Sequence, residues 1–242
     1  MERITIVFPG DIYLEGKMKF ILSLIITMTF SSIAFGGFVK TTAPDQYDIL
    51  FVIDDSGSMA QHQANLASSL PTLLAEFKSE SIQLGVTTSS ALVNQGIIEG
   101  TELMGPSVAG DFETVVKATS QTIGSIGTQG SATEIFLPTI FAVLTSPANQ
   151  GFLRADSKLV VVIMTDEGDY SDSSVSDTLR DLMELKGFFD IKVHGILGTD
   201  AKTGCFNGQT ASMLKIQTLV SATGGTSLDL CASDWSSFVI PK

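Results

Sequence analysis

An aspartate and two serines at alternate positions form a motif that could bind a metal ion. Asp54, Ser56 and Ser58 let one carboxylate and two hydroxyls converge from a tight turn, which Gly57 permits. Carboxylate and hydroxyl oxygens are hard ligands, which suit Mg2+ or Mn2+ better than zinc. Taken alone, the five residues 54–58 are also typical of an ordinary turn followed by a helix cap.

Two later segments offer the same kind of oxygen ligand. Thr133 lies in the loop GSATE at 130–134, and Asp166 lies in MTDEGD at 164–169. Ser131 has the same hydroxyl chemistry as Thr133 and remains an alternative to it. Because the carboxyl ends of parallel strands meet at one edge of a sheet, we expect the three loops to lie together.

Four further acidic residues flank these loops: Asp55, Glu134, Glu167 and Asp169. They could form the rim on which a partner binds, join a second ion, or be ordinary solvated loop charges. His62 follows the first motif by one helical turn. We interpret it as a surface helix residue, because the expected metal prefers oxygen ligands.

The chain between these motifs alternates strand-like and helix-like segments. Apolar runs predict strands over 47–54, 81–88, 158–165, 191–197 and 226–230, and a hairpin within 91–110. Helical spacing predicts helices over 59–80, 111–126, 134–145, 175–186 and 210–223. Pro71 should kink or break the first helix, and Trp235 and Phe238 should pack a last short helix. The alternation predicts an α/β fold, Rossmann-like and doubly wound, with a mainly parallel central sheet and helices on both faces.

Composition excludes several classes of protein. The chain has 242 residues, of which 44% are apolar and 17% charged, so it is neither disordered nor a coiled coil. Its 26 acidic residues outnumber its 14 basic ones, giving a net charge of -12. Such a surface repels phosphate backbones, so we expect no nucleic-acid partner.

The N-terminal region has the pattern of a targeting segment. A positive residue, Lys19, precedes the uncharged apolar run 20–35, and small residues follow it, so we predict a signal peptide over 18–36. The alternative is a membrane anchor, although this run is shorter than the roughly 20 residues that a spanning helix needs. Residues 1–17 fit a translated leader upstream of a bacterial start at Met18, residues 37–44 a short linker, and 45–242 a single domain.

Export would place the two cysteines in an oxidising compartment. We therefore predict a disulfide between Cys205 and Cys231, with two buried thiols as the alternative. The predicted location is extracytoplasmic, whether periplasmic, at the cell surface or secreted. Contact with a membrane would occur only through an uncleaved N-terminal segment.

Three segments together resemble the von Willebrand factor type A domain and its metal-ion-dependent adhesion site. They are FVIDDSGSM at 51–59, GSATE at 130–134 and VVVIMTDEGD at 160–169. The resemblance covers about residues 45–240 and implies one bound Mg2+ or Mn2+, toward which the two aspartates often act through water. The implied ligands are Asp54, Ser56, Ser58, Thr133 and Asp166. An aspartate or glutamate of a protein partner would complete the metal's coordination shell.

The function implied is that of an exported, metal-dependent protein-binding module in adhesion or assembly, without enzymatic activity. One alternative is a metal-independent structural domain of a bacterial envelope assembly. Another is a Mg2+-dependent, phosphatase-like enzyme of the haloacid-dehalogenase type, but Ser56 stands where such an enzyme needs its second aspartate.

Overall fold

Five parallel strands and one short antiparallel edge strand form the central sheet in the described part of the chain. The computed structural model describes residues 44–90, 103–104, 108–187, 190–199, 205–206 and 208–242. The strands are β1 (Gln46–Ile53), β2 (Ser81–Thr88), β3 (Val108–Ala109), β4 (Lys158–Thr165), β5 (Ile191–Leu197) and β6 (Ser227–Asp229). Their order is β3-β2-β1-β4-β5-β6, and only the β2–β3 pair is antiparallel. This is the strand order of a Rossmann-type doubly wound fold.

Helices cover both faces of the sheet. They are α1 (Ala60–Leu73), α2 (Phe112–Gly124), α3 (Leu137–Thr145), α4 (Val175–Leu185) and α5 (Thr210–Ala222). Successive side chains of β1 point to opposite faces, so Phe51 packs into the core beneath α1 and α2, whereas Val52 packs into the core beneath α3, α4 and α5. The predicted fold class is confirmed.

Strands were predicted more closely than helix ends. The two central strands β1 and β4 are buried on both faces, which explains their unbroken apolar sequences. Of the kink or break predicted at Pro71, the break is wrong, because α1 continues through this residue. The helix ends at Leu73, before the predicted end at residue 80. The exposed Pro71 directs its ring to solvent, while its neighbour Leu70 and the terminal Leu73 are buried in the core. The predicted hairpin in 91–110 lies mostly outside the described residues.

The last residues of the chain form turns, and the helix predicted around Trp235 is absent from this described segment. Trp235 is buried and stacks on Phe238, with ring centroids 5.3 Å apart. Ile240 is also buried, and its backbone N–H donates to the carbonyl of Leu73 at 2.9 Å. The C-terminal segment is therefore held by side-chain packing and by a hydrogen bond to the end of α1.

The predicted disulfide is confirmed. Cys205 and Cys231 are bonded, with their Cα atoms 5.7 Å apart. The bond joins the segment that follows β5 to the segment that follows β6. It thus ties the C-terminal segment to the rest of the domain.

Removing this bond should destabilise the domain. For Cys205→Ser combined with Cys231→Ser, we expect the free energy of unfolding to fall by about 3 kcal/mol, because the unfolded chain loses a loop constraint. Urea unfolding of the oxidised protein and of the double variant measures the difference. The reduced wild-type protein should match the variant. Equal unfolding midpoints for the oxidised protein and the variant would show that the bond adds no stability.

None of the helices in the described residues is long and apolar enough to cross a membrane. The predicted leader over 1–17 and signal peptide over 18–36 lie outside the described residues, as does nearly all of the linker over 37–44.

His194 is a buried titratable residue in the middle of β5. Its Nδ1 accepts a hydrogen bond from the backbone N–H of Thr226 at 3.1 Å, which places the ring proton on Nε2. Nε2 has no hydrogen-bond partner in the part of the chain that the structure describes. Burial, assisted by the positive charge of Lys192, lowers the pKa of His194 to about 4.

This histidine should make the domain sensitive to acid. The unfolded chain binds a proton at His194 below about pH 6.5, whereas the folded protein does so only near pH 4. Stability is therefore intact above the unfolded pKa and falls by up to about 3 kcal/mol as the pH drops through this window. Urea unfolding at about pH 7.5 and about pH 4.5, in a chelating buffer, should show a smaller acid loss for His194→Asn. Equal acid losses in the two proteins would contradict the assignment.

Candidate metal centre

The first loop begins with Asp54, which follows β1 directly and is fully buried. Its Oδ1 accepts the backbone N–H of Ser56 at 2.8 Å, and its Oδ2 accepts the hydroxyl of Thr165 at 2.7 Å. Burial raises the pKa of Asp54 to about 6, and the negative charge of Asp166 adds to this, while the hydrogen bonds from Thr165 and Ser56 oppose it. A buried carboxylate is thus fixed between the ends of β1 and β4.

The two serines of the motif come together as the alternate spacing predicts. The hydroxyl oxygens of Ser56 and Ser58 are 3.2 Å apart, with Ser56 buried and Ser58 exposed. Neither hydroxyl caps α1, which is preceded by Met59. The side-chain cap expected in the alternative interpretation is therefore not observed, although a turn is present, in which the backbone N–H of Met59 donates to the carbonyl of Ser56 at 3.2 Å.

The third loop follows β4 and lies beside the first. Asp166 is buried, and its negative charge acts on both Asp54 and His62. Thr165, the last residue of β4, donates to Asp54 and accepts the backbone N–H of Glu167 at 2.9 Å. The threonine hydroxyl therefore joins the two loops that carry the predicted carboxylate ligands.

The second loop rests on the first. The backbone N–H of Gly130 donates to the carbonyl of Asp55 at 2.9 Å. A Cβ at Gly130 would lie 2.3 Å from Cγ of Asp55, so glycine is needed for this close approach. Thr133 is exposed, and its backbone N–H donates to the hydroxyl of Ser131 at 2.9 Å. The structure therefore places the Thr133 side chain at the exposed surface of the second loop, and its role as a metal ligand stays a prediction.

Three of the four acidic residues predicted for the rim do not fit an accessible rim. Glu134 is fully buried, Asp169 is 1% exposed and Asp55 is 8% exposed, whereas Glu167 is partly exposed. Burial raises the pKa of Glu167, and the charges of Asp54 and Asp166 add to this. Only Glu167 could therefore meet a partner at the surface.

Asp169 accepts hydrogen bonds from the start of α3, which explains its burial. Its Oδ1 accepts the backbone N–H groups of Phe136 at 2.8 Å and Leu137 at 3.1 Å, at the start of α3. Its Oδ2 accepts the hydroxyl of Ser171 at 2.6 Å and lies 3.4 Å from Nζ of Lys215. The third loop therefore caps the helix that follows the second loop, and α3 begins at Leu137 rather than at residue 134 as predicted.

Several buried polar residues near the site were not identified from the sequence motifs. Ser89 donates to Oδ1 of Asp55 at 3.3 Å and also contacts Glu134, while Ser90 accepts the backbone N–H of Ser131 at 2.7 Å. Gln63 donates to the backbone carbonyl of Asp54 at 3.1 Å. Ser89 and Ser90 directly follow β2, so the rule that sites form at strand ends could have identified them.

His62 is less exposed than predicted. It is half-buried, and its Nδ1 is enclosed without a hydrogen-bond partner among the described residues. Burial lowers the pKa of His62, whereas the negative charge of Asp166 acts in the opposite direction.

The chemistry of this centre fits a hard divalent cation. The described residues contain no group of three or more His, Cys, Asp or Glu side chains spaced to hold a metal. The predicted ligand set does not need one, because it consists of two carboxylates and three hydroxyls. No basic side chain pairs with Asp54 in the described part of the chain, so its buried negative charge has no counter-ion from the described residues.

Solved structures with low sequence identity are similar to this chain. No family model matches the chain, and no curated protein matches it. Proximal thread matrix protein 1 from the mussel byssus is 17% identical with a TM-score of 0.47, covering 81% of this chain and 46% of that one. A structure of the same protein with a zinc-occupied MIDAS motif is 16% identical, with the same TM-score and coverage.

The pilus adhesin SpaC from Lactobacillus rhamnosus GG, in an open conformation, is also similar. It is 15% identical with a TM-score of 0.45, covering 82% of this chain and 29% of the adhesin. The chain therefore spans less than half the length of these proteins.

Proposed function

We propose that the chain is a von Willebrand factor type A domain that binds a protein partner through a metal-ion-dependent adhesion site. One observation carries the proposal: the buried carboxylate of Asp54 is fixed by Ser56 and Thr165 at the point where β1 and β4 end side by side. Connections run in opposite directions from these two strands, so their carboxyl ends open a crevice in which ligands of such sheets bind.

The proposed ligands contribute two kinds of oxygen atom to the ion site. Asp54 and Asp166 supply negative charge, and Ser56, Ser58 and Thr133 supply hydroxyl oxygens. A bound Mg2+ or Mn2+ would act as a Lewis acid that accepts a carboxylate oxygen from the partner. The hydrogen bonds from Ser56 and Thr165 orient Asp54 before the ion arrives, which lowers the cost of organising the site.

We propose binding rather than catalysis as the role of this site. A phosphatase of the haloacid-dehalogenase type needs a second acidic residue two positions after the first, and Ser56 occupies that position. The remaining alternative is a structural domain that needs no metal. The disulfide between Cys205 and Cys231 supports an extracytoplasmic location, because such bonds persist in oxidising compartments.

Calorimetric titration of the chelator-treated protein with Mg2+, Mn2+ and Ca2+ tests this function. We expect saturable binding of one ion, strengthened by a peptide that carries a free aspartate or glutamate side chain. A matched peptide with asparagine or glutamine should not strengthen it. Absence of cation binding by the folded protein, with or without the acidic peptide, would favour the metal-independent structural domain.

A further inference from the structure

We infer that the disulfide between Cys205 and Cys231 is a positioning element of the cation site, because it holds the segment that packs on the backbone of Asp166. The inference rests on the proposed function and adds a means of regulation to it. The oxidised protein would bind its cation with Asp166 already in place. Without the bond, the protein would still fold but would hold the cation more weakly.

Gly198 is the point at which the segment of Cys205 meets the third loop. It directly follows β5, and its backbone N–H donates to the carbonyl of Thr165 at 2.9 Å. A Cβ at this glycine would clash with the carbonyl oxygen of Cys205 and would lie 3.0 Å from Cα of Asp166. The main chains at Cys205 and Asp166 therefore both pack against Gly198, where no side chain would fit.

The residues after Cys205 also contact the third loop. A Cβ at Gly208 would lie 2.9 Å from Cα of Glu167, so the two main chains touch. In the first turn of α5, the carbonyl of Ser212 accepts the backbone N–H of Asp169 at 3.2 Å. The third loop is thus contacted at successive positions by residues that follow the first cysteine in the sequence.

The second cysteine is anchored to the sheet. The preceding residue, Leu230, is buried, and its backbone N–H donates to the carbonyl of Leu197 at the end of β5, at 3.1 Å. The backbone N–H of Cys231 donates to Oδ1 of Asp229 at 2.9 Å. The disulfide therefore ties the segment that packs on the third loop to a fixed position beside β5. Loss of the bond removes this restraint, so the packing over the third loop would open at a lower cost in free energy.

The orientation of Asp166 depends on this packing. A functional site needs its side chains held within about 0.5 Å of their productive geometry. Asp166 is buried directly after β4, and its Cα and Cβ both lie against Gly198. Displacement of the Cys205 segment would remove part of the packing around this residue and leave its carboxylate less well oriented. Loss of a group that orients a metal ligand weakens metal affinity roughly 10- to 100-fold.

The test compares the double variant Cys205→Ser with Cys231→Ser against Arg154→Ala, in calorimetric titrations of the full chain with Mg2+ and Mn2+. Arg154 pairs with the buried Asp48 near the start of β1, at the end of the sheet away from Asp54. Its loss should therefore also destabilise the domain but leave the third loop in place. We expect the double serine variant to bind both ions at least about tenfold more weakly than the oxidised wild type, and Arg154→Ala to bind as the wild type does.

Reduction of the wild-type protein should reproduce the double variant. A dithiol reductant passes two electrons and two protons to the bond between Cys205 and Cys231, which breaks to give two thiols, while the dithiol becomes a disulfide. Exchange with an excess of the oxidised dithiol then reforms the bond, and the cation affinity should return. Affinity that stays unchanged through this cycle would refute the inference.

Hydrogen exchange of the cation-free protein provides a readout that general destabilisation would not move. The amide of Asp169, which is bonded to Ser212, should exchange faster in the double serine variant than in Arg154→Ala. Equal exchange at this amide in the two variants would show that the disulfide supports the fold only.

The outcomes separate this inference from the proposed function. If the double serine variant binds like the oxidised wild type, the cation site stands and the positioning role is refuted. If the oxidised wild type binds neither ion, the proposed function fails and the inference fails with it.

A glycine variant tests the same contact if the double serine variant does not fold. Gly208→Ala keeps the disulfide but forces the main chain at residue 208 away from Glu167. Gly124→Ala is the matched control, because its Cβ would meet no atom within 4 Å. We expect Gly208→Ala to bind the cation more weakly than this control, and equal affinities would count against the inference.

Discussion

Replacing Asp54 with alanine is expected to abolish cation binding while leaving the domain folded. The loss should exceed about 100-fold in affinity, because Asp54 is a proposed direct ligand and its carboxylate accepts hydrogen bonds from both the first and the third loop. The fold should survive because the carboxylate is buried without a basic partner in the described chain, and burial already disfavours its charge. Calorimetric titration with Mg2+ and Mn2+ measures the affinity, and circular dichroism checks the fold.

Asp156→Ala is the matched control for this experiment. Asp156 is an exposed aspartate just before β4, at the end of the sheet away from Asp54. It should bind cations as the wild type does. Equal cation affinities in the two variants would show that the ion, if any, binds elsewhere. Partner binding that persists in Asp54→Ala, or in the presence of a chelator, would refute the metal bridge.

The fold was predictable because its strands are encoded locally. The apolar runs of β1, β2, β4 and β5 have no polar interruptions long enough to suggest another structure, and their observed ends lie within one residue of the predicted ones. Helix ends were harder, since distant residues decide them. The start of α3 depends on a cap by Asp169, which comes more than thirty residues later in the chain.

The candidate site also has a part that the sequence predicts and a part that it does not. Asp54, Ser56 and Ser58 form a local motif whose spacing alone predicts convergence, and the structure brings their side chains together. The surroundings of Glu134 depend on contacts with Ser89 and Tyr170 from other loops. From the sequence alone, an acidic residue in a loop is expected to be exposed to solvent, because the contacts that bury it come from distant parts of the chain. For this reason the sequence placed Glu134 and Asp169 on the surface, whereas the fold buries them.

The opposite end of the sheet contains a buried ion pair whose loss should have the largest effect on stability. Asp48, near the start of β1, is fully buried. Its carboxylate accepts both the side-chain Nε and the backbone N–H of Arg154, each at 2.6 Å. The guanidinium of Arg154 also donates to the hydroxyl of Ser81 at 3.0 Å and to the carbonyl of Tyr47 at 2.9 Å. One side chain thus fixes the starts of β1 and β2 and the loop before β4.

Arg154→Ala should lower the free energy of unfolding by about 3–5 kcal/mol, because it removes the ion-pair partner of a buried carboxylate. Arg180→Ala is the control: Arg180 is 60% exposed and pairs with Asp177 and Asp181 at the surface, so its loss should cost at most about 1 kcal/mol. Urea unfolding of both variants measures the contrast. Cation affinity should be unchanged in Arg154→Ala, since Asp48 and Asp54 lie about 20 Å apart along β1. Similar stability losses in Arg154→Ala and Arg180→Ala would mean that the ion pair of Asp48 and Arg154 contributes no more than a surface contact. A loss of cation affinity in Arg154→Ala would show that the two ends of the sheet are not independent.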